Sequence, residues 1–180
     1  SSNGIESAAR KISYSLSLSS EDIAYGYLPF SFAFGLSVMH SHLYAGSKIL
    51  LPSHGETFIQ ALMSSSATHF YSVPTMLKSI KKYAQKLLSS NDHIKMIAQA
   101  GGPLSPEDAS FWYGVSEANN IEFVRMYGQT ECGPRITCCR ARDKNKDFTS
   151  LGKPLLDVSL TFQEQEICVN SDMLAYAYMQ

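Results

Sequence analysis

Apolar runs and longer amphipathic stretches alternate along most of the chain. Compact apolar runs bounded by Gly, Pro or polar residues are typical of buried strands, and such runs occur at residues 23–30, 48–51, 69–73, 94–99 and 121–125. Between them, apolar-rich stretches predict helices at residues 34–44, 57–66 and 74–88, and another helix after Ser105. Strands and helices therefore alternate about five times, which favours an α/β fold with a mostly parallel sheet and crossover helices.

Local signals support the helix starts. Ser105 can cap a helix, Pro106 suits its first position, and Glu107 and Asp108 favour the positive end of its dipole. Pro74 suits the first turn of the helix predicted at residues 74–88. These signals fix where the crossover helices begin.

The alternation divides the chain into three parts. Residues 1–22 form a lead-in segment, either a helix or irregular, that ends in a turn-like stretch at 16–22. Residues 23–142 form the α/β subdomain. Residues 143–180 begin a β-rich subdomain, and the strands predicted near this end of the chain lie at 135–140, 156–162 and 166–170.

Composition excludes some classes of function. The chain has 180 residues, 44% of them apolar, and a formal charge of −1, which suits one core and one domain. Nucleic acid is excluded as a main partner because phosphate binding needs a basic face. No apolar run approaches a membrane span, and residues 1–11 lack the apolar core of a signal peptide, so we expect a cytoplasmic protein.

Cysteine and histidine patterns give no metal site. The four cysteines form no C-x-x-C pair, and no histidine lies near them at zinc-ligand spacing. We therefore expect all four to be free thiols: Cys132, Cys138, Cys139 and Cys168. His40 and His42 lie two apart on a predicted helix and so point to different faces. We expect both to be core-edge or surface residues.

The candidate chemistry lies at residues 125–133, RMYGQTECG, directly after a predicted strand. This turn offers an aromatic face, a flexible backbone, an amide, a hydroxyl and a carboxylate: Tyr127, Gly128, Gln129, Thr130 and Glu131. Such groups suit a nucleotide and its Mg²⁺, although ordinary strand-to-loop turns have a similar composition. Gly101 and Gly102 follow another strand, so the two turns are expected to converge on one pocket.

The motif YGQTE resembles the signature of the adenylate-forming enzymes: acyl-CoA synthetases, aryl-CoA ligases, luciferases and the adenylation domains of peptide synthetases. Further stretches match in the same order: LPFSFAFGL (28–36), AGSKILLP (45–52), YSVPTML (71–77), AGGPLSPE (100–107) and SLGKPL (150–155). The resemblance covers nearly the whole chain. Five ordered matches argue against a generic α/β domain with a chance motif.

The resemblance implies a two-step reaction. ATP and a small-molecule carboxylic acid would give an acyl-adenylate and pyrophosphate, with Mg²⁺ as cofactor. The acyl group would then pass to the thiol of CoA or to the phosphopantetheine arm of an acyl or peptidyl carrier protein.

The resemblance also implies roles for individual residues. Thr130 and Glu131 would be catalytic, with Thr130 on phosphate and Glu131 on Mg²⁺. Nucleotide binding would involve Gly101, Gly102, Tyr127, Gly128, Gln129 and Thr130, with Tyr127 stacked on adenine. Substrate binding would involve Phe32, Ala100 and Gly101.

This sequence departs from the family pattern in several places. Phe32 stands where many members have His in a P-x-x-H-x-x-G pattern, and Pro103 follows the glycines directly, which shortens that loop by one residue. The family's phosphate loop, its ribose-binding aspartate and its catalytic lysine are not present in the chain. We therefore expect an internal portion of a longer ligase that is inactive alone; the alternative is a non-catalytic nucleotide-binding or assembly module.

Overall fold

The structure is a computed structural model that describes residues 2–141 and 148–177. Its strands are β1 (Ile23–Tyr25), β2 (Lys48–Leu50), β3 (His69–Ser72), β4 (Met96–Gln99), β5 (Glu122–Tyr127), β6 (Thr137–Cys139), β7 (Lys153–Pro154), β8 (Ser159–Gln163) and β9 (Glu166–Asn170). Its helices are α1 (Ser2–Leu16), α2 (Ala33–Tyr44), α3 (Phe58–Ser64), α4 (Pro74–Ile80), α5 (Ala84–Ser89) and α6 (Pro106–Ala118). The predicted α/β class is confirmed.

A seven-stranded sheet in the order β2-β1-β3-β4-β5-β6-β7 forms the centre of the fold. The pairs from β2 to β5 are parallel, whereas β5–β6 and β6–β7 are antiparallel. Strands β8 and β9 form a separate antiparallel pair. The predicted mostly parallel sheet and β-rich C-terminal end are therefore observed, while the predicted boundary between residues 142 and 143 lies outside the described residues.

Both faces of the parallel strands are covered by helices, as buried parallel sheets require. Successive residues of each strand point to opposite faces. Residues on one face pack with α3 to α6: Tyr25, Phe70, Ile97 and Phe123. Residues on the other face pack with α1 and α2: Ala24, Tyr71, Ala98 and Val124.

Helix starts follow the sequence signals. Ser105 Oγ accepts a hydrogen bond from the amide of Asp108, and Pro106 is the first residue of α6. Thr57 and Gln60 form a reciprocal capping box at the start of α3. These caps satisfy amides that would otherwise lack partners at the starts of α3 and α6.

Two predicted elements differ from the structure, and one observed strand was not predicted. The strand predicted at 23–30 ends at Tyr25, because the apolar residues after it pack from a loop in which the Phe32 amide bonds to the Pro29 carbonyl. The helix predicted at 74–88 is broken by a 3₁₀ turn at Lys81–Tyr83. Strand β7 was not predicted, since it has only two residues and both are exposed.

Helix α1 is attached to the C-terminal hairpin region through Lys11. The Lys11 side chain is fully buried, and its Nζ donates to the carbonyls of Leu156 and Asp157 at 2.9 and 3.3 Å. The carboxylates of Asp157 and Asp172 lie 3.6 and 3.4 Å from the same nitrogen. Lys11 therefore joins two parts of the chain that are distant in sequence.

We expect Lys11→Met to lower the free energy of unfolding by about 1–3 kcal/mol, because two carbonyls and a carboxylate pair lose their common donor. Urea denaturation measures this change. Lys48→Met, at an exposed position of the edge strand β2, is the matched control and should change stability by no more than about 0.5 kcal/mol. Equal midpoints for the two variants would contradict the role of Lys11.

His42 is fully buried, so the expectation of a core-edge or surface position is wrong for this residue. Its Nδ1 lies 2.6 Å from Ser47 Oγ and its Nε2 lies 2.7 Å from Tyr71 Oη. Ser47 donates to the His42 carbonyl, so Nδ1 carries the proton and Nε2 accepts from Tyr71. Burial lowers the pKa of His42 to about 3, and burial lowers the pKa of the neighbouring His69 to about 4.

We expect acid to destabilise the fold below about pH 6.5. The unfolded chain binds protons on both histidines from that pH downward, whereas the folded chain does so only near pH 4 and pH 3. Each histidine should therefore remove about 2 kcal/mol of stability between pH 8 and pH 5. Urea titrations at several pH values measure the free energy of unfolding. His42→Gln should make it depend less steeply on pH, whereas the exposed His54→Gln should not. Equal pH dependence of the two variants would contradict the role of His42.

Candidate functional site

The turns after β4 and β5 line one cleft of about 540 Å³ at the carboxyl end of the sheet. Its lining residues are Gly101, Gly102, Pro103, Leu104, Arg125, Met126, Tyr127, Gly128, Gln129, Thr149 and Leu151. The predicted convergence of the two turns is confirmed. Ligands of parallel sheets bind at this edge, where strand-end loops meet.

The Gly101–Gly102 turn is fixed by a hydrogen bond from the side chain of Gln99, the last residue of β4. Gln99 Nε2 donates to the Gly102 carbonyl at 2.9 Å. Gly101 has a φ of +78°, and a Cβ there would lie 3.2 Å from Val73 Cγ1. This backbone conformation favours glycine, so the turn presents peptide groups to the cleft without side chains.

The turn after β5 depends on a close backbone approach at Gly128. A Cβ at this position would lie 2.1 Å from the Pro134 carbonyl oxygen and 2.6 Å from Arg135 Cα. The Ile136 amide donates to the Tyr127 carbonyl at 2.6 Å, which closes the turn. Only a residue without a side chain allows the chain to return at this distance.

Gln129 holds the ring of Tyr127. Its Nε2 donates to Tyr127 Oη at 2.8 Å, and its backbone N–H donates to the Gly133 carbonyl at 3.3 Å. Tyr127 is half-buried, so one part of the ring packs against the core while the rest borders the cleft. The side chain is thereby positioned before any ligand binds.

Thr130 and Glu131 lie on the same turn but are exposed. Thr130 borders a second, smaller cavity of about 190 Å³ between α1, α2 and residues 173–175. The Ala175 amide donates to the Glu131 carbonyl at 2.8 Å. The structure therefore places the two predicted catalytic residues beside the cleft and not in its lining.

A magnesium ion at Glu131 would have few protein ligands. In residues 2–141 and 148–177, no three His, Cys, Asp or Glu side chains are grouped as a metal site. Mg²⁺ commonly takes one or two carboxylates and completes its shell with phosphates and water. The exposed carboxylate of Glu131 fits that mode of binding.

The residues predicted for the acyl substrate are not all in the cleft. Phe32 is 67% exposed at the N-cap of α2 and lines neither cavity, and Ala100 is buried at the end of β4. Phe34 is closer to the Gly101 turn, since its Cδ1 would lie 3.8 Å from a Cβ at Gly101. The roles of Phe32 and Ala100 stay predictions.

Two arginines near the site were missed by the sequence analysis. Arg125 lines the cleft and donates to the carbonyl of Phe148. Arg135 is fully buried, with its Cζ 5.0 Å from the Phe34 ring centroid and 5.1 Å from that of Tyr71. A signal existed in the sequence, because Arg135 is a charged residue at the start of an apolar predicted strand.

Burial lowers the pKa of the Arg135 guanidinium, although the neighbouring Tyr71 opposes this effect. An arginine remains charged even then. Each desolvated cation–π contact contributes about 2 kcal/mol, against a burial cost of several kcal/mol for an unpaired ion. The two rings and the hydroxyl of Tyr71, which also favours the charged guanidinium, therefore offset part of the cost of burying this charge.

The sequence was compared with known protein families and structures. The sequence profile of the AMP-binding enzyme family matches residues 2–169. The chain therefore belongs to the AMP-binding enzyme family. A comparison with curated protein sequences gave no match.

Several solved structures share the fold. Wild-type MenE from E. coli with a bound phenylether-linked analogue of OSB-AMS has a TM-score of 0.80 and 20% identity, covering 98% of this chain and 36% of that chain. VinN in complex with L-aspartate has a TM-score of 0.79 and 23% identity, and the match covers 93% of this chain and 44% of that chain.

O-succinylbenzoate CoA synthetase (MenE) from Bacillus subtilis, in complex with ATP and magnesium ion, has a TM-score of 0.79 and 19% identity, covering 97% of this chain and 38% of that chain. At these identities the likeness shows the fold. The chain spans 36–44% of the length of these three structures. Within its described residues, none of the helices is both long and apolar enough to cross a membrane.

We expect Gly128→Ala to destabilise the fold by about 3 kcal/mol or more, because the new methyl group would overlap the Pro134 carbonyl. Gly114→Ala is the matched control: nothing lies within 4 Å of a Cβ at this exposed position of α6. The control should gain about 0.5–1 kcal/mol from helix propensity. Urea denaturation of both variants measures the difference, and a neutral Gly128→Ala would refute the close approach.

Proposed function

We propose that this chain is part of an AMP-forming ligase that activates a carboxylic acid with ATP and passes the acyl group to a thiol. The observation that carries the proposal is the cleft shared by the Gly101–Gly102 turn and the Tyr127–Gln129 turn. Family membership supports adenylate chemistry in that cleft.

The cleft suits a nucleotide in size and lining. Its volume of about 540 Å³ is within the range of small-molecule sites, about 300–1,000 Å³. The ring of Tyr127 offers a face for adenine, and the glycine turn offers peptide groups without side chains. The hydrogen bond from Gln129 fixes the tyrosine hydroxyl at 2.8 Å.

The residues beside the cleft suit the first reaction step. A carboxylate oxygen of the substrate attacks the α-phosphorus of ATP, a new P–O bond forms, and pyrophosphate leaves. Thr130 would donate its hydroxyl proton to a phosphate oxygen, where negative charge is stabilised by fixed donors. Glu131 would hold Mg²⁺, which supplies charge stabilisation on phosphate when it is bound.

The thiol step is proposed for the whole enzyme. CoA or the phosphopantetheine arm of a carrier protein would attack the acyl carbonyl and release AMP. This 180-residue chain, which is shorter than half of each compared structure, is expected to show no ATP–pyrophosphate exchange by itself. Exchange by the isolated chain would contradict that expectation.

The proposed site is tested by calorimetric titration with a non-hydrolysable acyl-adenylate analogue in Mg²⁺. We expect saturable binding that weakens at least tenfold, about 1.4 kcal/mol, in Tyr127→Ala and Thr130→Ala, because stacking and a phosphate contact are lost. Tyr83→Ala and Thr161→Ala, at exposed positions that do not line the cleft, are matched controls and should bind like the wild type.

Two results would argue against the proposal. Equal affinity of all four variants for the analogue would show that the nucleotide does not bind in this cleft. Strong self-association of a chain without affinity for the analogue would favour an assembly module in place of a ligase site.

A further inference from the structure

A groove between α3 and α5 exposes large apolar side chains and shares no lining residue with the cleft. Leu87, which is only 6% exposed, and the half-buried Ile59 form its floor. Met63 and Tyr83 stand on its rim, where they are 61% and 46% exposed. We call this cavity the α3–α5 groove. Tyrosine and methionine are enriched at contact surfaces between proteins.

The lining of the α3–α5 groove does not suit a small molecule. Such sites need a few polar groups that point at the ligand. Here the polar side chains of Ser90 and Asn91 are used within α5, because Ser90 Oγ donates to the Lys86 carbonyl at 2.8 Å and Asn91 Nδ2 donates to the Leu87 carbonyl at 2.6 Å. The volume of about 280 Å³ suits a few apolar side chains of a larger partner.

The segment that forms the groove carries only positive charge. Residues 57–91 contain no aspartate or glutamate and four lysines: Lys78, Lys81, Lys82 and Lys86. Lys81 is paired with Asp108 at 2.6 Å. In the described part of the chain, Lys82 and Lys86 belong to no ion pair. The groove therefore has a positive border in a chain whose formal charge is −1.

Both of these lysines lie at the apolar rim. Lys86 lines the groove itself, and Lys82 Nζ lies 4.7 Å from the ring centroid of Tyr83. Both lysines are exposed. A partner that places apolar side chains in the groove therefore brings its neighbouring residues within reach of two ammonium groups, and acidic residues are favoured at those positions.

Two other occupants fit the groove less well. A flat lipid surface would meet the tips of Met63 and Tyr83 but not the recessed Leu87. A second copy of the chain would need a helix with two exposed apolar residues one turn apart. Among the described residues, the large exposed apolar side chains are Ile5 and Tyr14 on α1, Leu43 and Tyr44 on α2, and Met63 alone on α3, so no such pair occurs.

We propose that the α3–α5 groove binds an acidic amphipathic helix of a partner protein. In this mode of recognition, apolar residues three or four apart anchor one face of a helix in a hydrophobic groove. The flexible side chain of Met63 can adjust to the anchors. Carboxylates beside the anchors pair with Lys82 and Lys86. The inference does not depend on the proposed function, because the groove and the cleft are separate.

The test uses a panel of synthetic alanine-rich peptides of about 16 residues, a length at which isolated helices begin to form in water. Each peptide carries two anchors, chosen from Leu, Phe and Met and spaced three or four residues apart, with glutamates beside them. Fluorescence anisotropy measures binding. We expect at least one peptide to bind wild type with a Kd below about 100 μM. Matched peptides with Ala in place of both anchors, or with Lys in place of every Glu, should bind at least tenfold more weakly.

Variants of the chain place the peptide in the groove. Met63→Asp should weaken binding of the acidic peptide at least tenfold, and so should the double variant Lys82→Glu with Lys86→Glu. Lys48→Glu, at an exposed position that does not line the groove, is the matched control and should change the affinity less than twofold. The double variant should bind the lysine-bearing peptide more tightly than wild type does, a gain that loss of folding cannot produce.

Four results would overturn the inference. The first is a panel in which no acidic peptide binds, and the second is binding that Met63→Asp leaves unchanged. The third is dimerisation in sedimentation experiments that Met63→Asp abolishes, because a second copy would then occupy the groove. The fourth is binding to phosphatidylserine vesicles that requires Lys82 and Lys86, because the surface would then face a membrane.

Failure of this inference can be told apart from failure of the proposed function. Met63→Asp should bind the non-hydrolysable acyl-adenylate analogue like wild type, because Met63 does not line the cleft. A chain that binds the acidic peptide but no analogue would support the docking surface and contradict the proposed function. A chain that binds the analogue but no acidic peptide would overturn the docking surface alone.

Discussion

The close backbone contact at Gly128 is the constraint on which the site depends. Because no side chain separates Gly128 from Pro134, the chain can leave the parallel sheet at β5 and return at once as the antiparallel β6. That return places Arg135 beneath the Phe34 ring and leaves Tyr127 at the border of the cleft. A longer return would separate the tyrosine from the arginine.

The parallel strands make this constraint possible. Phe70, Ile97 and Phe123 anchor one face while Tyr71, Ala98 and Val124 anchor the other. Strands buried on both faces have little freedom to shift register. The two turns that line the cleft are each fixed by one glutamine side chain, because Gln99 bonds to the glycine turn and Gln129 bonds to Tyr127. The site therefore consists of exposed loops on a rigid support, as is common for binding sites.

The sequence predicts the elements whose signals are local. The cap at Ser105 predicted the start of α6, and the apolar run before Tyr127 placed β5 to within two residues, because capping and burial act over a few positions. The strand predicted to reach residue 30 ended at Tyr25, since an apolar run does not show whether its residues pair in a sheet or pack from a loop.

Tertiary features were beyond the sequence. The sequence predicted that the two glycine-containing turns meet. It did not predict the buried position of His42, because that position depends on Tyr71, which is distant in the chain. The position of Arg135 between two rings depends on the return after Gly128. Sequence spacing cannot show such contacts, because they arise only once the sheet has assembled.

The proposed nucleotide site lies between the turns at Gly101–Gly102 and Tyr127–Gln129. Backbone amide shifts of the isotope-labelled chain, recorded by NMR during titration with a non-hydrolysable acyl-adenylate analogue in Mg²⁺, test it most directly. We expect the largest shift changes at Gly101, Gly102, Gly128 and Gln129. Largest changes in the distant groove around Ile59 and Met63, or no changes at saturating analogue, would contradict it.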